Sequence, residues 1–272
     1  MTSPVWRGPG EDPWLPHRLD AALNVGMWER SVRRSIWAIL SEWLVGTARR
    51  VARTGAPPDL DAIWARVPAW RDSVEHVAQG RIKEAMGSAY RSTMGPDFDW
   101  DRRPAAARYL AEVENRLARV PESVYDLVAG EVQAGASLGE GIPSIADRVD
   151  NVLSTAGSDR WPNRATVIAR TETVGALNAG RADAFDALEE ELETDLEKVW
   201  LATEDSRTRP THNAADGQRV PNGAPFIVGG FQLMFPGDPG GPAQEVIQCR
   251  CTMLLTEPGE ELDLSNRQSR RL

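Results

Sequence analysis

The sequence predicts an α+β protein: a mainly helical N-terminal domain, then a long helix, then a small antiparallel-sheet module. Three observations lead there. Apolar residues recur at three- and four-residue spacing through the first half, the period of an amphipathic helix. The same period runs on from Pro162 through Leu188. After Lys198 the character changes, and residues 205–242 hold seven Gly and six Pro, so strands there must be short.

The elements follow in order. Residues 1–17, rich in Pro, Gly and acids, read as an extended arm in which Trp6 and Trp14 are candidate anchors for a partner. From Leu19 to about Arg53, Val32, Ile36, Leu40, Trp43, Leu44 and Val51 form one apolar stripe. Gly55-Ala56-Pro57-Pro58 stops that helix, and Asp59 is placed to cap the next, whose apolar positions include Leu60, Ile63, Trp64 and Val67. Pro68 is expected to kink or divide it before Val74, Val77, Ile82, Met86 and Tyr90 resume the pattern.

A turn at Met94-Gly95-Pro96-Asp97 precedes a helix carrying Tyr109, Leu110, Val113, Leu117 and Val120 on one side. Pro121 restarts the pattern with Val124, Leu127, Val128 and Val132, which closes a helical domain over 18–136. A Gly-bearing linker, a short helix from Ser144 to Leu153 and a capping Gly157-Ser158-Asp159 lead to the long helix. Short strands are expected at 199–203, 226–228, 233–235 and 246–255, with Asp216-Gly217-Gln218 as a hairpin turn. The α+β module therefore covers 141–256, and the polar residues 257–272 read as a flexible tail.

Mean hydropathy of −0.41 and the absence of any apolar run near the ~20 residues of a membrane helix describe a soluble chain with no membrane partner. The first residues lack the apolar core of a secretion signal. A net charge of −9 opposes a role as a general nucleic-acid sleeve. Charge is uneven, however: residues 1–53 carry eight Arg against five acids, whereas 183–197 hold eight acids and no base. That acidic run reads as a solvated helix face. Lys83 and Lys198 are the only lysines among 31 basic residues.

Candidate chemistry gathers in the last third. Cys249 and Cys251 are too close in sequence for a structural disulfide, and in an extended segment they point to one side while Arg250 points away. Two thiolates can share a zinc ion with His212 as third ligand and Asp216 or Asp205 completing a tetrahedron. No general base accompanies the set, so a bound zinc would be structural; the alternative is a packed thiol pair.

A second group is polar. Arg170 and Arg181 share a face of the long helix, with Glu172 and Asn178 nearby, and Asp205, Arg207 and Arg209 lie in one loop. Two readings stand. In one, the loop and helix stripe pair with each other, Arg170 and Glu172 meeting Asp205 and Arg207, to lock module to helix. In the other, His212 with Arg207 and Arg209 serves a nuclease or toxin-like effector.

As an ordered set, Ala169-Arg170-Thr171-Glu172-Thr173, Asn178, Gly180-Arg181, Trp200, Thr203, Asp205, Arg207-Thr208-Arg209, His212, Asp216-Gly217 and Cys249-Arg250-Cys251 resemble the phage head morphogenesis family, minor capsid proteins of the Mu protein F type. The likeness runs from Gly141 to Cys251. It departs where a common family form has a Cys-x-x-Cys pair, here Arg209 and His212, and a His before the CRC motif, here Val246.

The resemblance implies a minor structural protein of a tailed-phage head rather than an enzyme. It implies binding to portal or to major capsid or scaffold protein, contact with packaged DNA, and a place in the virion after assembly in the host cytoplasm.

Overall fold

The computed structural model describes residues 15–54, 65–95, 100, 104–141, 144–145, 147–148, 151, 160–203 and 205–260. Helix α1 spans Leu15–Thr54, ahead of the expected start at Leu19. Helix α2, Val67–Ser73, passes through a π-helical turn, Val74–Ala78, into α3, Gln79–Met94. Pro68 does not kink a longer helix. It sits in the first turn of α2, where its missing N–H has no intrahelical partner to lose. Helices α4, Pro104–Leu117, and α5, Val120–Ser137, follow. Asp59, Leu60, Ile63 and Trp64, the anchors Trp6 and Trp14, and the tail beyond Glu260 lie outside the described residues.

The helical core joins Ile36, Leu40 and Trp43 of α1 to Ile82 and Met86 of α3 and Val113 of α4. Trp70 anchors it. Its indole Nε1–H donates to the Leu117 carbonyl at 2.9 Å, and its ring meets Trp43 edge-on at 6.0 Å. The indole thus buries a large apolar surface while its one polar atom stays satisfied.

Helix α6, Arg160–Leu192, is the long helix. Ten successive residues, Thr171 to Gly180, are buried. A helix enclosed on all sides must be covered by two layers, and here α1, α3 and α4 cover one side while the C-terminal module covers the other. Small residues permit the approach. A methyl group on Gly180 would lie 2.2 Å from the Met86 carbonyl oxygen of α3, and one on Gly175 would lie 2.8 Å from that of Gly237.

The module holds strand β1, Glu197–Leu201, helix α7, Pro210–Ala215, and strands β2, Arg219–Pro221, β3, Phe226–Val228, and β4, Phe231–Leu233. Helix α8, Ala243–Val246, and strand β5, Thr252–Thr256, complete it. One antiparallel sheet runs β2-β1-β5, with Trp200 opposite Met253, and a hairpin pairs β3 with β4. Trp200 is the centre of this second core, meeting Phe226 and His212 edge-on at 5.3 and 5.5 Å. Phe235 packs against both cores.

Three expectations are corrected. Asp216-Gly217 does not close a two-residue hairpin; Gly217, at φ 75°, carries α7 into β2. The two-residue turn is Gly229-Gly230, with φ of 59° and 86°, as a left-handed pair requires. It places β4 at 231–233, two residues before the expected strand. Val246 ends a helical turn after Pro242 rather than opening a strand. The acidic run is also not uniformly solvated, since Asp183 is buried and Asn222 donates to both Asp186 and Glu189.

No described helix is long and apolar enough to cross a membrane.

Lys198 is buried in the central strand, its Nζ donating to the Met234 carbonyl at 2.9 Å beside the Phe226 ring. Burial pulls its pKa down from 10.5 to about 8, against the opposing pull of Asp186, Asp238 and Glu189. Between those values the unfolded chain holds the proton and the folded chain does not, so this group's contribution to stability rises with pH. Relative to Lys198→Met, the wild type should gain stability from pH 8 to 10, by up to about 1.4 kcal/mol per unit. Urea titrations at stepped pH measure the difference, and a flat one would show that the ammonium is not desolvated.

Candidate metal centre

Two short helices and one reversed residue build the centre. Pro210, in the first turn of α7, aims His212 inward, where it is 1% exposed. After α8, Gln248 adopts φ 59°, and its N–H donates to Thr171 Oγ1 of α6 at 3.0 Å. That left-handed residue turns the chain into 249–251, which lead to β5. Cys249 and Cys251 then face His212, both buried and neither in a disulfide, while Arg250 points away and forms a two-pronged ion pair with Asp205.

His212 Nδ1 lies 3.3 Å from Cys251 Sγ and 3.8 Å from Cys249 Sγ, and the three donor atoms lie within 4.8 Å of one another. Tetrahedral zinc, with bonds of about 2.1 Å to nitrogen and 2.3 Å to sulfur, puts those atoms roughly 3.5 Å apart. The donor set therefore fits a metal ion in both chemistry and spacing. The Cys249 thiol is held below its ordinary pKa, first by the hydrogen bond from Cys251, with Arg209 adding positive field; that bond and burial push Cys251 well up. Arg209 itself is fixed by donating to the Ile247 carbonyl.

Asp216 is not in the donor group. Its Oδ1 accepts the Ala202 N–H at 2.8 Å, tying the end of β1 to the end of α7. Asp205 is likewise engaged elsewhere, since Arg250 holds its carboxyl far below the usual aspartate range. The acid that does meet His212 is Glu245, whose Oε2 lies 3.1 Å from Nε2. Sequence reasoning missed Glu245, because a single acid just ahead of the strand expected at 246–255 carries no sign of burial.

The polar cluster divides between the two faces of α6. The structure does not pair Arg170 and Glu172 with Asp205 and Arg207. Arg170 donates twice to Glu29 of α1, at 2.9 and 3.2 Å, and Glu172 receives the Arg116 guanidinium of α4. These two residues bind the N-terminal helices. Asn178 serves the other side: its Nδ2 donates to the carbonyls of Pro236 and Cys251 at 2.9 and 3.0 Å, and its Oδ1 accepts from Thr252 Oγ1 and from Arg181. Arg207 is 72% exposed, with Nη2 3.6 Å from Asp205.

Residues 123–254 match a family model described as phage Mu protein F like protein, a span that starts within α5 and ends within β5. Over these residues the chain is similar to the phage Mu protein F like family. The chain is also similar to the NAD(+)--arginine ADP-ribosyltransferase EFV of Enterococcus faecalis, 28% identical over 151 residues, which is 56% of this chain and 29% of that protein. It thus spans under a third of the length of that relative. No solved structure matches.

Burial pushes the Glu172 carboxyl pKa up, with Arg116 pulling the other way. Removing one partner strands a charge, so Glu172→Ala should cost about 3 kcal/mol, while Glu172→Leu combined with Arg116→Met should recover most of it. Urea unfolding of the variants tests this; a single variant as stable as wild type would show that the pair is solvated.

Proposed function

We propose that the protein is a minor structural component of a tailed-phage head that binds portal or capsid and scaffold subunits during assembly and remains in the virion. The family match across α6 and the module carries this reading. In it the helical residues 18–136 form the docking part, and residues 141–256 form a rigid module in which α6 serves both. The exposed arginines of α1, Arg30, Arg33 and Arg34, are the residues placed to meet packaged DNA.

Binding rather than catalysis accords with the polar residues. Arg170, Glu172, Asn178 and Asp205 are engaged in internal contacts. His212 is sealed, with one ring nitrogen on the thiols and the other on Glu245. A nuclease needs its imidazole within reach of a phosphate.

Zinc is the ion we assign to His212, Cys249 and Cys251. When bound it supplies a structural cross-link between α7 and the segment entering β5, in a module with a small apolar core.

Cross-linking mass spectrometry on assembling heads should join α1 or α5 to a single head subunit, and elemental analysis of the purified protein should find one zinc per chain. Absence of the protein from purified particles would overturn the structural role. The resemblance to an ADP-ribosyltransferase names the competing activity: transfer of label from NAD to an arginine acceptor would replace the structural reading with an enzymatic one.

A further inference from the structure

We propose that Glu245, supported by Thr211, is the positioning residue of the metal centre, holding the His212 ring so that Nδ1 faces the two sulfurs; this rests on the metal reading above. Glu245 lies outside the donor group yet is 4% exposed, an expensive place for a carboxylate unless strong donors surround it. Its Oε2 accepts from Thr211 Oγ1 at 2.8 Å and meets His212 Nε2 at 3.1 Å. A carboxylate only accepts, so the imidazole hydrogen sits on Nε2 and the Nδ1 lone pair is left for a metal.

The fold makes room for this contact. Gly229, the first residue of the β3–β4 turn, would carry a Cβ 2.6 Å from Glu245 Oε1, so the glycine that turns the hairpin also clears the carboxylate's position. The two arginines nearest the centre are committed elsewhere, Arg209 to the Ile247 carbonyl and Arg250 to Asp205. Among the described residues, His212 and Thr211 are the side chains that Glu245 meets. Neighbours on α7 thus have divided roles: Thr211 fixes the carboxylate, the carboxylate fixes the ring, and His212 presents its other nitrogen.

The test uses the full-length protein and zinc, with Kd measured by competition against a chromogenic chelator and the thiolate-to-metal bands of the cobalt form as a second readout. Glu245→Gln, which keeps the volume and an acceptor oxygen, should weaken zinc about tenfold; Glu245→Ala should approach a hundredfold, and Thr211→Val should fall nearer the first. The cobalt bands should shift in the same order while circular dichroism stays that of the wild type. A wild type that binds no zinc overturns the metal reading and the proposal with it. Zinc bound by wild type and by folded Glu245→Gln with equal Kd and equal cobalt bands overturns the proposal alone. Should Glu245→Ala unfold, Glu245→Gln and Thr211→Val decide.

Discussion

A helix covered on every side cannot leave a polar side chain to solvent, and α6 carries Thr171, Glu172, Thr173 and Asn178 within its buried stretch. Each of the larger ones must meet a partner fixed in space, because an unmade hydrogen bond there costs on the order of 1–3 kcal/mol. This constraint arranges the rest. Glu172 and Arg170 are met by Arg116 and Glu29, which fixes how the N-terminal helices lie on α6. Asn178 and Thr171 are met by backbone at 236, 248 and 251, which fixes the module on the opposite side.

The His212, Cys249 and Cys251 cluster, the candidate metal centre, depends on the same helix. Thr171 holds the N–H of Gln248, the left-handed residue that turns the chain, and Asn178 holds the Cys251 carbonyl. The sulfurs are therefore placed from two sides, by α6 through the backbone and by α7 through His212. The Asp205–Arg250 pair draws the intervening side chain the other way and completes the alternation. An ion at this point would add a cross-link between elements that already meet through Trp200 with its apolar neighbours and through the Thr211–Glu245 and Arg209–Ile247 contacts.

Much of this was legible in the residues, and the limits have physical causes. The period of Val32, Ile36 and Leu40 announced α1, and the CRC alternation announced that both sulfurs share a side, because each depends only on local geometry. Pairing partners were not legible. Arg170 and Glu172 lie close to each other in sequence and read as a single stripe, yet they reach Glu29 and Arg116, at separations of 141 and 56 residues. Nothing in the local sequence encodes such contacts. Gly229-Gly230 and Asp216-Gly217 carry similar turn signals in the sequence, and only the tertiary context makes the first the hairpin that sets β4 at Phe231–Leu233. Glu245 shows the limit most plainly, since its role comes from a turn sixteen residues earlier that leaves it space.

The near-contact of Gly175 with Gly237 bears on how such a chain can diverge. Two backbones touching leave no side chain to adjust, so drift there is blocked at both positions, whereas the exposed loop around Arg207 meets no such limit. Lengthening that loop would give new specificity at the surface while the seam beneath stays frozen.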